Sequence, residues 1–247
     1  MIYYYDGKVA GFLTAFLDAW EDEEALFSRD QRQTSFFPGK VVRTDAELAN
    51  RAKRRLQERL GVSFVRELPY ALAGQSEEVG NLTYRVLKKA LSTSPAMFSS
   101  CDRDVLAWRH LVQRVRHELH QYKGLLRFRE TEEGNLFACL EPENLILPLL
   151  ANFFRKRLPR ERFLLFDTRR GLACYVEQGG APQEFQDTVF CFQEGDREER
   201  IRQAWQIFYQ TVGIEERKNT ALMVKNMPKR FWKYLPEKWE ENREKGK

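Results

Sequence analysis

HELHQYKGLLRFRETEEGNLFACLE, residues 117–141, changes its hydrophobic period part-way along. Leading into it, Val105, Trp108, Val112, Val115, Leu119 and Tyr122 recur at three- and four-residue steps. That is the spacing of one buried stripe on an α-helix. The pattern predicts a helix over 102–122, ended by Gly124. Beyond Gly124 the spacing becomes that of strands. GLLRFRET (124–131) and NLFACLE (135–141) read as a hairpin joined across Glu132–Gly134. A helix that runs straight into hairpins decides the fold class, which is α+β.

Working outward toward the C-terminus, a helix is expected from Asn144 to Arg157. A second hairpin follows, RFLLFDT (162–168) and GLACYVE (171–177), with Arg169-Arg170 at its tip. DTVFCF (187–192) reads as a strand and 197–212 as a helix. RFRETEEGNLFAC (127–139) and RFLLFDTRRGLAC (162–174) resemble each other. They are two hairpins drawn from one β-forming alphabet, or a repeat that implies a ββα-ββα core with an antiparallel sheet. Toward the N-terminus, IYYY (2–5) reads as a strand and Asp6-Gly7 as a turn. Val9, Phe12, Leu13, Phe16, Leu17 and Trp20 predict an amphipathic helix. SFFPGK (35–40) is a loop, Thr44-Asp45 caps a helix to Leu60 that Gly61 stops, and a further helix covers 77–91. The Ser-rich STSPAMFSS (92–100) marks an internal boundary. It divides an N-terminal strand-plus-helix region, 1–98, from an α+β core with a basic, aromatic C-terminal segment, 99–247. The expected architecture is an N-terminal helical part packed on a central antiparallel sheet, closed by C-terminal helices.

The chain has 247 residues, 43% hydrophobic and 31% charged, with a formal charge of +5. Such a chain builds a sizeable core, and its modest positive excess matters only where it is localised. No apolar run approaches the ~20 residues of a membrane span. The opening MIYYYDGKVAGF has neither a basic n-region nor a long apolar stretch, so no signal peptide is expected. Cys101, Cys139, Cys174 and Cys191 are widely spaced and form no CxxC pair. A reduced, cytoplasmic protein is expected, with no membrane partner.

His110, His117 and His120 share the polar side of the long helix, opposite its apolar stripe, while Glu118 sits at the stripe's edge. H-E-x-H is not the H-E-x-x-H of a zinc enzyme, and no further ligands are evident, so no metal is expected. Glu118 and His120 are candidates for acid–base work, but i and i+2 point apart on a helix. Walker A, GxGxxG, GxSxG and three-cysteine motifs are all absent, and no cofactor is expected. Positive charge clusters at RAKRR (51–55), around Lys123 and Arg127, at RKRLPRER (155–162) starting with Arg155, and at Arg169 and Arg170. A last group holds Lys229 and Arg230, interleaved with Phe231, Trp232 and Tyr234. Cations neutralise phosphates and aromatics stack on exposed bases, although charge runs also serve as solvated faces and aromatics as core.

YDGKVAGFLTAFLDAW (5–20), HELHQYKGLLRFRE (117–130), NLILPLLANFFRKRLPRERFLLFDTRRGLACY (144–175) and ERKNTALMVKNMPKRFWKYLPE (216–237) occur together and in this order. In these pieces, which span nearly the whole chain, it resembles a bacterial family of DNA-metabolism and DNA-repair proteins of unassigned biochemistry. The family's E-x-H matches Glu118 and His120. Its glycine, R-F and following acid match Gly124, Arg127-Phe128 and Glu130. Its D-x-R-R matches Asp167, Arg169 and Arg170, and its M-P-x-R-[YF]-W matches Met227 to Trp232. Relatives often carry His before Phe where this chain has Asn152. The resemblance implies a radical-SAM companion protein acting in DNA modification or repair, and related domains are fused to uracil-DNA-glycosylase-like domains. This chain lacks both the radical-SAM cysteines and a glycosylase motif, which implies an accessory, DNA-handling role. The expected function is therefore DNA binding beside a radical-SAM enzyme. The alternatives are a nuclease or base-processing hydrolase using Glu118, His120 and Asp167, or a protein-interaction module. Glu118, His120, Arg127 and Glu130, with Asp167 and Arg170, form either a nucleic-acid-facing cleft or a buried polar network that fixes helix to sheet.

Overall fold

The computed structural model describes residues 1–29, 39–93, 102–186, 195–212 and 219–238. Part of the loop at 35–40, most of the boundary at 92–100 and the strand expected at 187–192 lie outside the described residues. The chain divides into two compact units, Met1–His117 and Glu118–Lys247.

The first unit opens with β1 (Ile2–Tyr4), α1 (Val9–Asp18), β2 (Leu26–Ser28) and β3 (Gly39–Val41). It continues with α2 (Ala46–Leu60), α3 (Val62–Val65), α4 (Leu68–Leu72) and α5 (Val79–Thr93). The long helix α6 (Arg103–Leu125) begins in this unit. β1 is the central strand of a three-stranded parallel sheet, ordered β2-β1-β3, with Tyr3 level with both Phe27 and Lys40. The aromatic residues of α1 and the sheet form the core. Phe12 lies 5.3 Å from Phe27, and Phe27 4.8 Å from Tyr84. The Tyr84 hydroxyl reaches the Ala19 and Asp22 carbonyls, so this buried tyrosine keeps its hydrogen bonds. α2 begins where expected: the Asp45 carboxylate accepts from Leu48 N–H, and Gly61 follows the last turn.

The second unit holds β4 (Arg129–Glu130), β5 (Leu136–Leu140), α7 (Leu147–Arg157), β6 (Phe163–Asp167), β7 (Leu172–Val176) and β8 (Gln183–Phe185). Then come α8 (Asp196–Val212), α9 (Thr220–Asn226) and the 3-10 turns Lys229–Tyr234 and Pro236–Lys238. The five strands are ordered β4-β5-β6-β7-β8. The α+β class holds, with one correction: the sheet is mixed. β4–β5, β6–β7 and β7–β8 are antiparallel, but β5 and β6 run parallel. The cause is α7, which returns the chain from the end of β5 to the start of β6, as a strand–helix–strand crossover does. The two similar segments are the hairpins on either side of that crossover. Gly134 and Gly171 turn them with φ of 77° and 64°, a region that glycine enters without a Cβ clash.

Helix α6 passes through Gly124 and ends at Leu125, so the first strand is shorter than expected. A glycine in a helix costs only about 1 kcal/mol relative to alanine. A Cβ there would meet nothing within 4 Å, so no close approach demands glycine. α7 packs on β6 and β7, and Leu150, Phe154, Phe163, Leu165 and Val176 are buried. The two-residue alternation of β6 that turns Phe163 and Leu165 inward also turns Asp167 inward. A carboxylate is thereby delivered to the end of the sheet, at 1% exposure.

Candidate functional site

The polar residues of the second unit converge on one short loop, Glu141-Pro142-Glu143-Asn144, between β5 and α7. Glu118 approaches from α6. Its Oε1 accepts from Glu143 N–H at 2.7 Å, and its Oε2 from Asn144 N–H at 3.0 Å and the Asn144 side-chain amide at 2.7 Å. Asp167 approaches from the end of β6. Its Oδ1 accepts from the backbone N–H groups of Arg169 and Arg170 at 3.0 and 3.2 Å, closing the hairpin tip. Its Oδ2 accepts from the Arg170 guanidinium at 2.8 Å. Arg170 donates onward to the Pro142 carbonyl at 2.8 Å and to the Glu143 carbonyl. The peptide groups of Glu143 are thus held at N–H by Glu118 and at C=O by Arg170.

The C-terminal 3-10 turn completes the frame. Arg230 pairs with the Glu143 carboxylate, donates to Gln121 at 2.9 Å and lies 3.9 Å from Glu118. Tyr234 donates to Glu141 at 3.0 Å, Thr168 does the same at 3.0 Å, and Lys233 pairs with it. The Lys233 hydrogen bond holds Glu141 below the usual carboxylate range against the opposing effect of burial. Burial, reinforced by the nearby Glu118 charge, pushes the Tyr122 phenol up, so it stays neutral at ordinary pH. Tyr122 packs edge-on against Phe231, with ring centroids 4.7 Å apart.

An ionised carboxylate has roughly four lone-pair sites. Glu118 and Asp167 each have three close N–H donors, and Glu118 is further approached by Arg230. Each such donor helps to hold its carboxylate in place. The arrangement is suited to fixing a loop. Both carboxylates are buried, at 3% exposure for Glu118 and 1% for Asp167. Among the described residues no cluster of three or more His, Cys, Asp or Glu is placed to hold a metal.

The other expected residues lie apart from this network. His120 is exposed, and among the described residues no partner is recorded for its ring. Lys123 sits over the Phe153 ring at 4.7 Å. Arg127 pairs with Glu237 at 3.2 Å and covers the Trp205 ring. Arg155 reaches the Gly180 carbonyl at 3.4 Å. Glu130 is tied to α8, since its N–H donates to Glu198 at 2.9 Å. Asn152 donates to the Pro148 carbonyl one turn back in its own helix, at 2.9 Å. Lys229 lies 6.0 Å from the Trp232 ring centre. Trp232 is 5% exposed, with its indole N–H on the Met227 carbonyl. It therefore packs the interior and offers no open face to a base. Arg169 is exposed and its side chain has no ion pair among the described residues. Lys156, Arg157 and Arg160, at the end of α7 and just beyond it, are likewise exposed and unpaired among the described residues. Sequence reasoning missed Glu141, Glu143 and Asn144. The available signal was E-P-E-N, three polar side chains and a proline packed between a strand and a helix.

Fold and site together define an α+β protein whose second unit is organised around a buried carboxylate–guanidinium frame. The chain belongs to the family described as a domain of unknown function, DUF4130, whose model matches residues 77–237. No curated protein and no solved structure matches the chain. No helix among the described residues is long and apolar enough to cross a membrane.

Proposed function

We propose that the chain binds nucleic acid, with DNA as its ligand, and serves as a non-catalytic component of a repair or modification pathway. One observation carries this reading: the division of charge in the second unit. The carboxylates that hydrolysis would need, Glu118 and Asp167, are engaged by backbone N–H groups and arginines. Among the described residues, the cations Lys156, Arg157, Arg160 and Arg169 are exposed without carboxylate partners. Lys156 and Arg157 also stand in the last turn of α7, where the helix dipole favours cations. Unpaired exposed cations are what a phosphate backbone recognises. The radical-SAM companion and the repair setting rest on the family resemblance and are part of the same proposal.

A second observation favours a protein partner in addition. Ile201, Trp205, Phe208 and Val212 recur at helical spacing on α8 and are all more than a third exposed. A protein-interaction module would use that face.

The test is fluorescence anisotropy of a labelled DNA duplex and single strand across a salt series. Wild-type affinity should fall linearly on logarithmic axes. Replacing Lys156, Arg157 and Arg160 by alanine should flatten the slope by about 2.7, because each phosphate left without its cation removes about 0.9. A slope unchanged by the triple substitution would remove α7 from the interface, and absence of binding would overturn the proposal.

A further inference from the structure

Helix α8 turns its polar side to the protein and its apolar side to water. Glu198 is buried and accepts from Glu130 N–H at 2.9 Å, and Gln206 donates to the Pro236 carbonyl at 2.9 Å. Arg202, between them on the same side, is part-buried and pairs with Glu199. Ile201, Trp205, Phe208 and Val212 face solvent instead, each between 38% and 58% exposed. At 100° per residue these four fall within about 60° of arc. Ala204, Ile207 and Thr211, all exposed, widen the face to about 160°. A surface helix ordinarily buries an apolar stripe about 100° wide against its own core. Here a stripe of that width is left in water.

Trp205 is already held in place. Its indole N–H donates to Glu237 at 2.9 Å, the Arg127 guanidinium lies over its ring at 5.6 Å, and the Phe208 ring is 5.6 Å away. A tryptophan fixed before binding is the kind of anchor that dominates an interface, since little freedom remains to be lost. The face does not suit a phosphate, because from Gln203 to Val212 the helix carries no charged residue.

The seam also matches itself. Its steps of four, three and four residues read the same in both directions, and they are the a/d steps of a coiled coil. Laid antiparallel on an identical helix, Ile201 meets Val212 of the partner subunit and Trp205 meets Phe208 of the partner subunit, each pair twice. A two-fold axis requires that reciprocity. Arg197 and Arg200, both exposed, then fall at opposite ends of the pair, whereas parallel helices set these like charges side by side. At roughly 200 Å² for a fully exposed side chain, Ile201, Trp205, Ile207, Phe208 and Val212 offer roughly 500 Å². Two copies bring together roughly 1,000 Å², the least area expected of a specific interface.

We infer that α8 is a self-association surface whose occupant is a second copy of this chain, bound antiparallel through Ile201, Trp205, Phe208 and Val212. This deepens the protein-partner reading above and rests on it. The modest area makes the dimer reversible, so the chain passes between one copy and two as its concentration changes.

The experiment is sedimentation velocity of the full chain over a wide concentration series, on wild type, Ile201→Glu and Val212→Lys. Both positions face solvent in the single copy, and matching circular dichroism will confirm intact folds. Wild type should move from the mass of one chain to that of two. Each substitution alone sets a charge against an apolar side chain, twice per dimer, and should weaken association about tenfold or more. An equimolar mixture of the two variants should recover most of the loss. The introduced carboxylate then meets the introduced ammonium at one end, and Ile201 meets Val212 of the partner subunit at the other. Wild type that stays a single chain at every concentration overturns the inference, as does a dimer that both substitutions leave intact. A mixture no stronger than either variant alone overturns it too, because only antiparallel pairing brings 201 and 212 together. If wild type stays single, hydroxyl-radical footprinting separates that failure from failure of the broader reading. Trp205 and Phe208 open to oxidation would leave the face to an unlike protein. Shielding of both would mean that the chain covers its own face, and would overturn both readings.

Discussion

Removing Glu118 separates a structural frame from a ligand-binding cleft. Glu118→Ala deletes three hydrogen bonds to the 143–144 segment, at 2.7, 3.0 and 2.7 Å, and the charge facing Arg230. Hydrogen bonds to a charged group contribute about 1.5–3 kcal/mol each, and breaking a buried charge network costs about 3–5 kcal/mol. The loop donors are only part-buried, so water recovers some of the deficit. The expected destabilisation is about 3 kcal/mol, at the lower end of that range. With a urea m-value of about 2 kcal/mol/M, the transition of the second unit should move down by about 1.5 M. The assay is urea unfolding followed by circular dichroism, with DNA binding measured well below the transition. His120→Ala is the control: exposed and without a recorded partner among the described residues, it should change stability by no more than about 0.5 kcal/mol. A Glu118→Ala protein within about 1 kcal/mol of wild type that no longer binds DNA would refute the reasoning. Glu118 would then act on a ligand and not on the loop.

Trp232→Ala should destabilise by about 3–5 kcal/mol through the cavity it opens, measured in the same unfolding assay, whereas a base-stacking tryptophan would cost binding and little stability. Asp45→Ala removes the acceptor for Leu48 N–H and should cost about 1 kcal/mol in thermal or urea unfolding, with reduced α2 helicity. Asp102 and Asp104 are held below the ordinary carboxylate range, first by hydrogen bonds from Lys89. Depressed acids stabilise the fold above their unfolded pKa of about 3.9 and lose that contribution as pH falls through the lower folded values. Lys89→Met should therefore flatten the acid limb of stability below about pH 4, and identical limbs for the two proteins would count against the pairing.

The helix α2 could be read to the residue, because Thr44-Asp45 and Gly61 are local signals whose physics needs no distant partner. The hairpin tips were legible for the same reason. The parallel β5–β6 pair is also written in the order strand–helix–strand, but the likeness of the two hairpins favours an antiparallel sheet and masks it. β2 and β3 are three residues each, too short for a period to register, and they are defined by backbone pairing with the distant β1. Of the site, Glu118, Asp167, Arg170 and Arg230 all stand out in the sequence, and the structure brings them to one loop. That Glu141-Pro142-Glu143-Asn144 is their common target was not legible. Much of what they hold is backbone N–H and C=O, which every residue carries and no motif can mark. His120, next to Glu118 in the motif, points to solvent as i and i+2 on a helix require.

The most direct test is binding of the purified wild-type protein to labelled DNA over a salt series, with and without EDTA. A phosphate-contacting, non-catalytic protein gives affinity that falls steeply and linearly with log salt, is indifferent to EDTA and leaves the DNA intact. DNA that is cleaved or loses bases, with EDTA stopping the reaction, would contradict that account. So would a protein that binds neither single nor double strands at low salt.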